Sequence, residues 1–146
     1  MNEKIELDIR VPNETRYLSL IGKIGESLAQ TLQKYRGDRE ELAYHINLVL
    51  TEAVANAIKH ARAESPADEV HISISIQDHR LLIRVYDQGQ GFDICSLPTT
   101  EQELEDKCLQ DHGRGIYIMR ALMDRVSYRR MAQGNVLEME KTLKSP

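Results

Sequence analysis

Apolar and polar residues alternate at the start of the chain and predict a strand. In residues 4–11 every second residue is a large aliphatic one, and the residues between them are charged. This period of two is typical of a strand with one buried and one wet face. Pro12 is expected to end the strand, because proline cannot donate to a strand ladder.

The period changes after Asn13, and the new spacing of three and four residues predicts an amphipathic helix of about six turns. Its apolar stripe consists of Leu18, Ile21, Gly25, Leu28, Leu32 and Tyr35. Gly37 is expected to cap the C-terminus of this helix. Asp38 is then the predicted N-cap of a second helix, with Glu41 as its capping-box partner.

The second helix and the elements after it follow from the same two periods. The buried face of this helix is predicted at Ile46, Leu50, Ala53, Ala57 and Ala61, and Ser65-Pro66 is its predicted stop. Alternation over residues 70–76 and 81–85 predicts a hairpin. A third helix is predicted from Gly113, followed by strands over residues 126–130 and 136–143 around a Gly134-Asn135 turn.

This order of elements predicts an α+β fold: a two-layer α/β sandwich with helices on one face of a mostly antiparallel mixed sheet. The length of 146 residues fits one domain, residues 1–146. Residues 94–112 are polar and carry little periodicity. A stretch of that kind in a small domain is typical of a functional lid or of a disordered loop.

Composition narrows the function classes. With 19 basic and 23 acidic residues the net charge is −4, which disfavours binding to a nucleic-acid backbone. No apolar run approaches the ~20 residues of a membrane span, and the first residues lack a signal-peptide core, so a cytoplasmic protein is expected. Cys95 and Cys108 are expected to be ordinary thiols, because a zinc site needs about four ligands.

Polar residues that a core does not need occur at three places. Glu52 and Asn56 lie four residues apart and share one face of the second helix, although a solvated face is the simpler interpretation. Asp87-x-Gly89-x-Gly91 follows a strand, where the glycines permit close approach of a ligand or form only a tight turn.

The third place is Gly113-x-Gly115 at the start of a helix. Free N–H groups and the helix dipole make such a terminus an anion site, and Arg114 adds a charge that could reach a phosphate. A flexible entry to the helix is the alternative.

Taken together, these stretches resemble a known fold. The sequences EAVANAIKHA (52–61), DQGQGFD (87–93) and GRGIYIM (113–119) resemble the Bergerat-type nucleotide-binding fold that gyrase, Hsp90, histidine kinases and MutL share. The compact length and the run GRGIYIMRALMD make the chain similar to the bacterial anti-sigma-factor serine kinases.

The resemblance implies roles for individual residues. Asn56 would hold Mg²⁺, which prefers oxygen ligands and takes few of them from protein. Glu52 would be the general base that accepts the proton of a serine hydroxyl. Asp87 would accept a hydrogen bond from the 6-amino group of adenine. The glycines and the arginine of the second and third motifs would line the nucleotide: Gly89, Gly91, Gly113, Arg114 and Gly115.

The chain departs from the family pattern near its end. Many relatives carry a threonine pair after the glycine of the last hairpin, where one hydroxyl supports the adenine site. Here Gly134 is followed by Asn135-Val136, so that hydroxyl is missing. His60 and Lys59 are expected to be structural and solvated, respectively.

The function that the resemblance implies is an ATP- and Mg²⁺-dependent protein serine kinase that is also an anti-sigma factor. Its partners would be a sigma factor and an anti-sigma-factor antagonist phosphorylated on serine, with no direct nucleic acid and no membrane. The long apolar stripe of the first helix favours a homodimer. Two alternatives stay open: a partner switch that binds ATP without transferring phosphate, and a stand-alone histidine-kinase-like ATPase domain.

Overall fold

The computed structural model describes residues 4–33, 35–61, 69–87, 113–131 and 134–143. Within them the elements are β1 (Lys4–Pro12), a 3₁₀ turn (Thr15–Tyr17), α1 (Leu18–Gln30), α2 (Arg39–Ala61), β2 (Glu69–Gln77), β3 (Arg80–Asp87), α3 (Gly113–Leu122), β4 (Arg125–Met131) and β5 (Gly134–Thr142). Several predictions concern residues outside the described ones: the stop at Ser65-Pro66, the lid over 94–112, Gly89, Gly91, Cys95 and Cys108.

The strands form one sheet in the order β1-β2-β3-β5-β4. All four pairings among the described strands are antiparallel, so the predicted α+β class is confirmed but the expectation of a mixed sheet is wrong for this part of the chain. Consecutive strands joined by short turns pair antiparallel. After β1, which is the edge strand, the chain passes through α1 and α2 and enters the sheet again in β2, beside β1.

The core lies between one face of the sheet and the helices. Along β2, Ile72 and Ile74 are fully buried, whereas Ser73 on the opposite face is partly exposed. The helix α2 packs against α1, α3 and β3, so it is the central element of the helical layer. Alternation along the strands thus gave the correct buried face.

The predicted β2–β3 hairpin is confirmed, and its turn is tight. Asp78 and His79 have φ angles of 52° and 68°. Positive φ at both residues is the requirement of a type I′ turn, one of the two-residue hairpin loops that match the strand twist.

The N-cap prediction for α2 is also confirmed. The Asp38 Oδ1 atom accepts backbone N–H bonds from Glu40 at 2.9 Å and from Glu41 at 3.3 Å. The carboxylate therefore satisfies two of the N–H groups that a helix start leaves without a partner. Of the predicted buried face, Ile46, Leu50, Ala53 and Ala57 are buried.

The first helix is shorter than predicted. It ends at Gln30, and the cap predicted at Gly37 is therefore wrong. The Thr31 hydroxyl donates to the Leu28 carbonyl at 2.7 Å, and the Leu32 N–H bonds the carbonyl only three residues back, which tightens the last turn. Leu32 is nevertheless fully buried. The apolar stripe was correct about burial and wrong about where the helix stops.

The turn predicted at Gly134-Asn135 is wrong as well. Both residues belong to β5, where Gly134 lies opposite Met131, and the connection falls at residues 132–133, outside the described ones. Asn135 is held in the ladder from both sides, because it pairs with Arg130 on β4 and with Asp87 on β3. Pairing with a second strand outweighs the local turn preference of a Gly-Asn pair.

Candidate functional site

The middle of α2 carries two polar side chains on one face. Glu52 and Asn56 are one helical turn apart, and Asn56 is buried with only 6% of its surface exposed. Glu52 is partly exposed, and Lys59 beyond it is exposed, as predicted. A half-buried carboxylate beside a buried carboxamide is unlike a solvated helix face, because charged and amide groups are normally left in water.

The start of α3 lies directly against this pair. A Cβ atom added at Gly115 would be 2.9 Å from Glu52 Oε2 and 3.5 Å from Asn56 Nδ2. The first distance is shorter than real Cβ contacts allow. The absence of a side chain at Gly115 therefore lets the backbone of α3 approach the carboxylate. The structure thus brings the first and third sequence motifs into contact.

The Asn56 amide has unmet hydrogen-bonding capacity. Its Nδ2 atom is buried and has no hydrogen-bond partner among the residues that the structure describes. A buried polar group without a partner costs about 1–3 kcal/mol, so Nδ2 has room for a partner such as water, an ion or a ligand. Because the two ends of an amide have nearly the same shape, this side chain can present either its nitrogen or its oxygen to that ligand.

This donor set fits a hard cation with few protein ligands. Within the part of the chain that the structure describes, no three His, Cys, Asp or Glu side chains are grouped to hold a metal. Mg²⁺ binds through one or two protein oxygens and takes its other ligands from phosphates and water. An amide oxygen at Asn56, with the Glu52 carboxylate one turn away, suits that mode and would not suit a structural zinc ion.

The second motif begins at the end of β3. Asp87 is buried, at 5% exposure, and its Oδ1 accepts a 2.9 Å hydrogen bond from Asn135 Nδ2 on the neighbouring strand β5. Asn135 is itself buried, at 4% exposure. The two residues are direct register partners, so the sheet backbone holds both side chains. Asp87 ends the strand against which α2 packs.

The charged groups on the other face of the sheet pair with each other. Arg84 Nε donates to Glu138 Oε2 at 2.6 Å, and Arg80 Nη2 donates to Glu140 Oε1 at 2.5 Å. The hydrogen bond to Glu138 is the main cause that raises the pKa of Arg84 above its ordinary value, and Glu140 raises the pKa of Arg80 in the same way. These ladders link strands β3 and β5 on the face opposite the helices.

The structure brings together Glu52, Asn56 and Gly115, and it places Asp87 at the end of a strand that contacts the same helix. The helix α3 begins at Gly113, as predicted. Gly89, Gly91 and the side chains of Arg114 and His60 lie outside what the structure describes.

The sequence interpretation missed the contact between Asn135 and Asp87. A signal for it was present, because the alternation of β5 places Asn135 on the same inward face as Leu137 and Met139. A polar residue at an inward strand position needs a partner.

Comparison with known proteins agrees with this geometry. Residues 13–141 match the family described as histidine kinase-like ATPase domain. The chain is 28% identical over 125 residues to the serine-protein kinase RsbW of Bacillus velezensis, covering 82% of this chain and 75% of that protein. It is 29% identical over 125 residues to RsbW of Bacillus subtilis, with the same coverage.

It is also 35% identical over 104 residues to the anti-sigma F factor of Anoxybacillus flavithermus, covering 67% of this chain and 68% of that protein. No helix in the described residues is both long and apolar enough to cross a membrane. Because this family model matches residues 13–141, which is most of its length, the chain belongs to the histidine kinase-like ATPase domain family.

Proposed function

We propose that this protein is an ATP-dependent serine kinase that phosphorylates a small antagonist protein and also binds a sigma factor. The observation that carries the proposal is the close approach of Gly115 to Glu52, beside the buried Asn56, whose Nδ2 atom has no hydrogen-bond partner in the described part of the chain. That contact puts a carboxylate and an amide at the start of a helix, where backbone N–H groups favour phosphate. The relatives named as serine-protein kinases and as an anti-sigma F factor support the same assignment.

Glu52 is the proposed general base. Its side chain is partly exposed, so an incoming hydroxyl can reach the carboxylate. The helix backbone fixes the position of the Glu52 Cα atom. It would accept the proton of the serine hydroxyl while that oxygen attacks the γ-phosphorus. A positioned base of this kind contributes about 10²–10⁴-fold to a rate.

Asn56 and Asp87 are the residues proposed to bind the nucleotide and its metal ion. Asn56 would hold Mg²⁺ through its amide oxygen, and a bound Mg²⁺ would supply charge neutralisation at the phosphates. Asp87 would accept a hydrogen bond from the 6-amino group of adenine. Guanine carries a carbonyl at that place, so a fixed carboxylate disfavours GTP. Gly89, Gly91, Gly113, Arg114 and Gly115 complete the proposed ATP site, with residues 94–112 as its lid.

The proposal includes a homodimer in the cytoplasm. An apolar groove lies beside the sheet-edge strand β1 and is lined mainly by Leu7, Leu20, Ile24 and Leu28. Leu20, in the lining of this groove, is 52% exposed. A second copy of the chain would cover this groove and the open edge of β1 together. Exposed edges and apolar grooves are features that proteins normally cover.

The test separates chemistry from binding. Glu52→Ala should keep the ATP affinity of the parent and lower phosphate transfer by roughly 10²–10⁴-fold. Asn56→Ala should weaken the Mg²⁺-dependent part of ATP binding. Calorimetric titration gives the affinities, and transfer of radiolabelled phosphate from ATP to a serine-bearing antagonist gives the rate. Glu40→Ala is the matched control, because it removes an exposed carboxylate from the same helix about three turns away.

The outcomes separate the three candidate functions. A Glu52→Ala protein that transfers phosphate at the parent rate would show that Glu52 is not the base. A parent that binds ATP but transfers nothing to any serine-bearing antagonist would favour the partner switch without catalysis. Transfer to a histidine of a separate protein instead would favour the stand-alone ATPase domain of a histidine kinase.

A further inference from the structure

We infer that Asn135 is a positioning residue that fixes Asp87 for recognition of the 6-amino group of adenine. The inference rests on the proposed function, because it assigns a partner to the residue that would read the base. It concerns a residue that lies outside all three motifs, on the last strand of the sheet. The hydrogen bond from Asn135 Nδ2 to Asp87 Oδ1, at 2.9 Å, carries it.

The chemistry of the two side chains fixes the direction of this bond. An ionised carboxylate only accepts, so Asn135 must turn its NH₂ group toward Asp87 and its carbonyl oxygen away. A carboxylate that receives one donor on Oδ1 has its rotation about the Cβ–Cγ bond restricted, and this orients Oδ2. A carboxylate offers about four acceptor positions on its two oxygens, and the bond from Asn135 occupies one of them.

The sheet makes this arrangement rigid. Asn135 pairs with Arg130 on one side and with Asp87 on the other, so its backbone lies in an interior strand. Both residues are at least 95% buried, so bulk water competes little for the hydrogen bond between them. A site group held by a buried partner on a neighbouring strand keeps its geometry better than one held by a loop.

A purely structural role makes a different prediction. If Asn135 served only to satisfy a buried carboxylate, its loss would lower the stability of the fold and affect all nucleotides alike. If it orients Asp87, its loss must act on ligands that carry a 6-amino group and spare ligands that do not. The readout is therefore the preference for ATP over purine riboside triphosphate, which lacks that amino group.

The experiment compares calorimetric affinities for these two nucleotides, each with Mg²⁺. The parent should prefer ATP by roughly 10–150-fold, the worth of one charge-assisted hydrogen bond. Asn135→Leu, which keeps the branched shape and the number of side-chain heavy atoms but has no donor, should lower this preference by roughly tenfold, mainly through weaker ATP binding. Asn135→Ser is the second test variant and replaces the leucine variant if that one does not fold. The serine hydroxyl is too short to replace the amide donor.

Leu81→Val is the matched control. Leu81 is fully buried on the same strand as Asp87, six residues away or about 20 Å along the strand, so this variant lowers stability without touching the site. It should keep the parent's preference. Thermal unfolding of each variant shows that the comparison is made on folded protein.

Two contrary results can be told apart. If the Asn135 variants fold and keep the parent's preference for ATP, Asn135 does not position Asp87, and the proposed function still stands. If the parent itself binds both triphosphates equally, the assignment of Asp87 to the 6-amino group is wrong, and the inference about Asn135 is overturned with it.

Discussion

Gly115 offers the sharpest test of the site, because its substitution by alanine should separate activity from stability. The added Cβ would lie 2.9 Å from Glu52 Oε2, whereas ordinary contact begins near 3.4 Å. The carboxylate must therefore move by about half an ångström. The distance to Asn56 Nδ2 is 3.5 Å, which is an ordinary contact, so the amide can stay in place.

This displacement sets the expected magnitude. A misplacement of about 1 Å in a catalytic group can lower a rate by ~10²-fold, so half that shift should lower phosphate transfer by about tenfold. Stability should stay constant or rise by up to about 1 kcal/mol, because alanine is a better helix former than glycine. The affinity for ATP should change less than the rate does.

The assay is single-turnover transfer of radiolabelled phosphate to a serine-bearing antagonist, with ATP affinity and urea unfolding measured on the same preparations. Glu52→Ala provides the control background, because Gly115→Ala should have no further effect once the carboxylate is gone. An equal loss in both backgrounds would mean that the new methyl group acts on the nucleotide rather than on Glu52. A parent-like rate for Gly115→Ala would refute the role of the carboxylate's position.

Three further predictions concern the fold. Gly25→Ala should destabilise the protein by about 1–3 kcal/mol. The reason is that its Cβ would lie 2.5 Å from a methyl carbon of Leu50 and 2.7 Å from Ile46 Cγ2. Urea unfolding measures the effect, and an unchanged midpoint of the unfolding transition would show that α1 can move away. Burial, and then the charge of nearby carboxylates, raises the pKa of Tyr35 above its ordinary value of 10.0. In the unfolded chain the phenol therefore ionises at a lower pH than in the folded protein, so the free energy of unfolding should fall as the pH rises above about 10. This fall should be less steep in Tyr35→Phe than in the parent. Leu20→Glu should shift light scattering from a dimer toward the 16.7 kDa monomer, and a parent that is already monomeric would contradict the homodimer.

The sequence by itself determined which residues would be buried and where most elements lie. Period-two alternation along β1, β2 and β3 identified their inward faces, because strand side chains point alternately to opposite sides. The Asp38 cap was readable because a short carboxylate followed by helix formers satisfies free N–H groups locally. The position of Glu52 and Asn56 on one helix face was also predictable, since residues four apart on a helix are neighbours.

Only the tertiary structure decided which separate pieces meet. Nothing local to Gly115 says that its missing side chain makes room for Glu52, more than sixty residues earlier, because helix packing sets that contact. The apolar pattern could not predict where α1 ends, because Leu32 is buried although the helix stops before it. Asn135 looked like a turn residue because Gly-Asn pairs favour turns in isolation. In the folded chain, pairing with strands on both sides keeps it extended, and its amide reaches the carboxylate of Asp87.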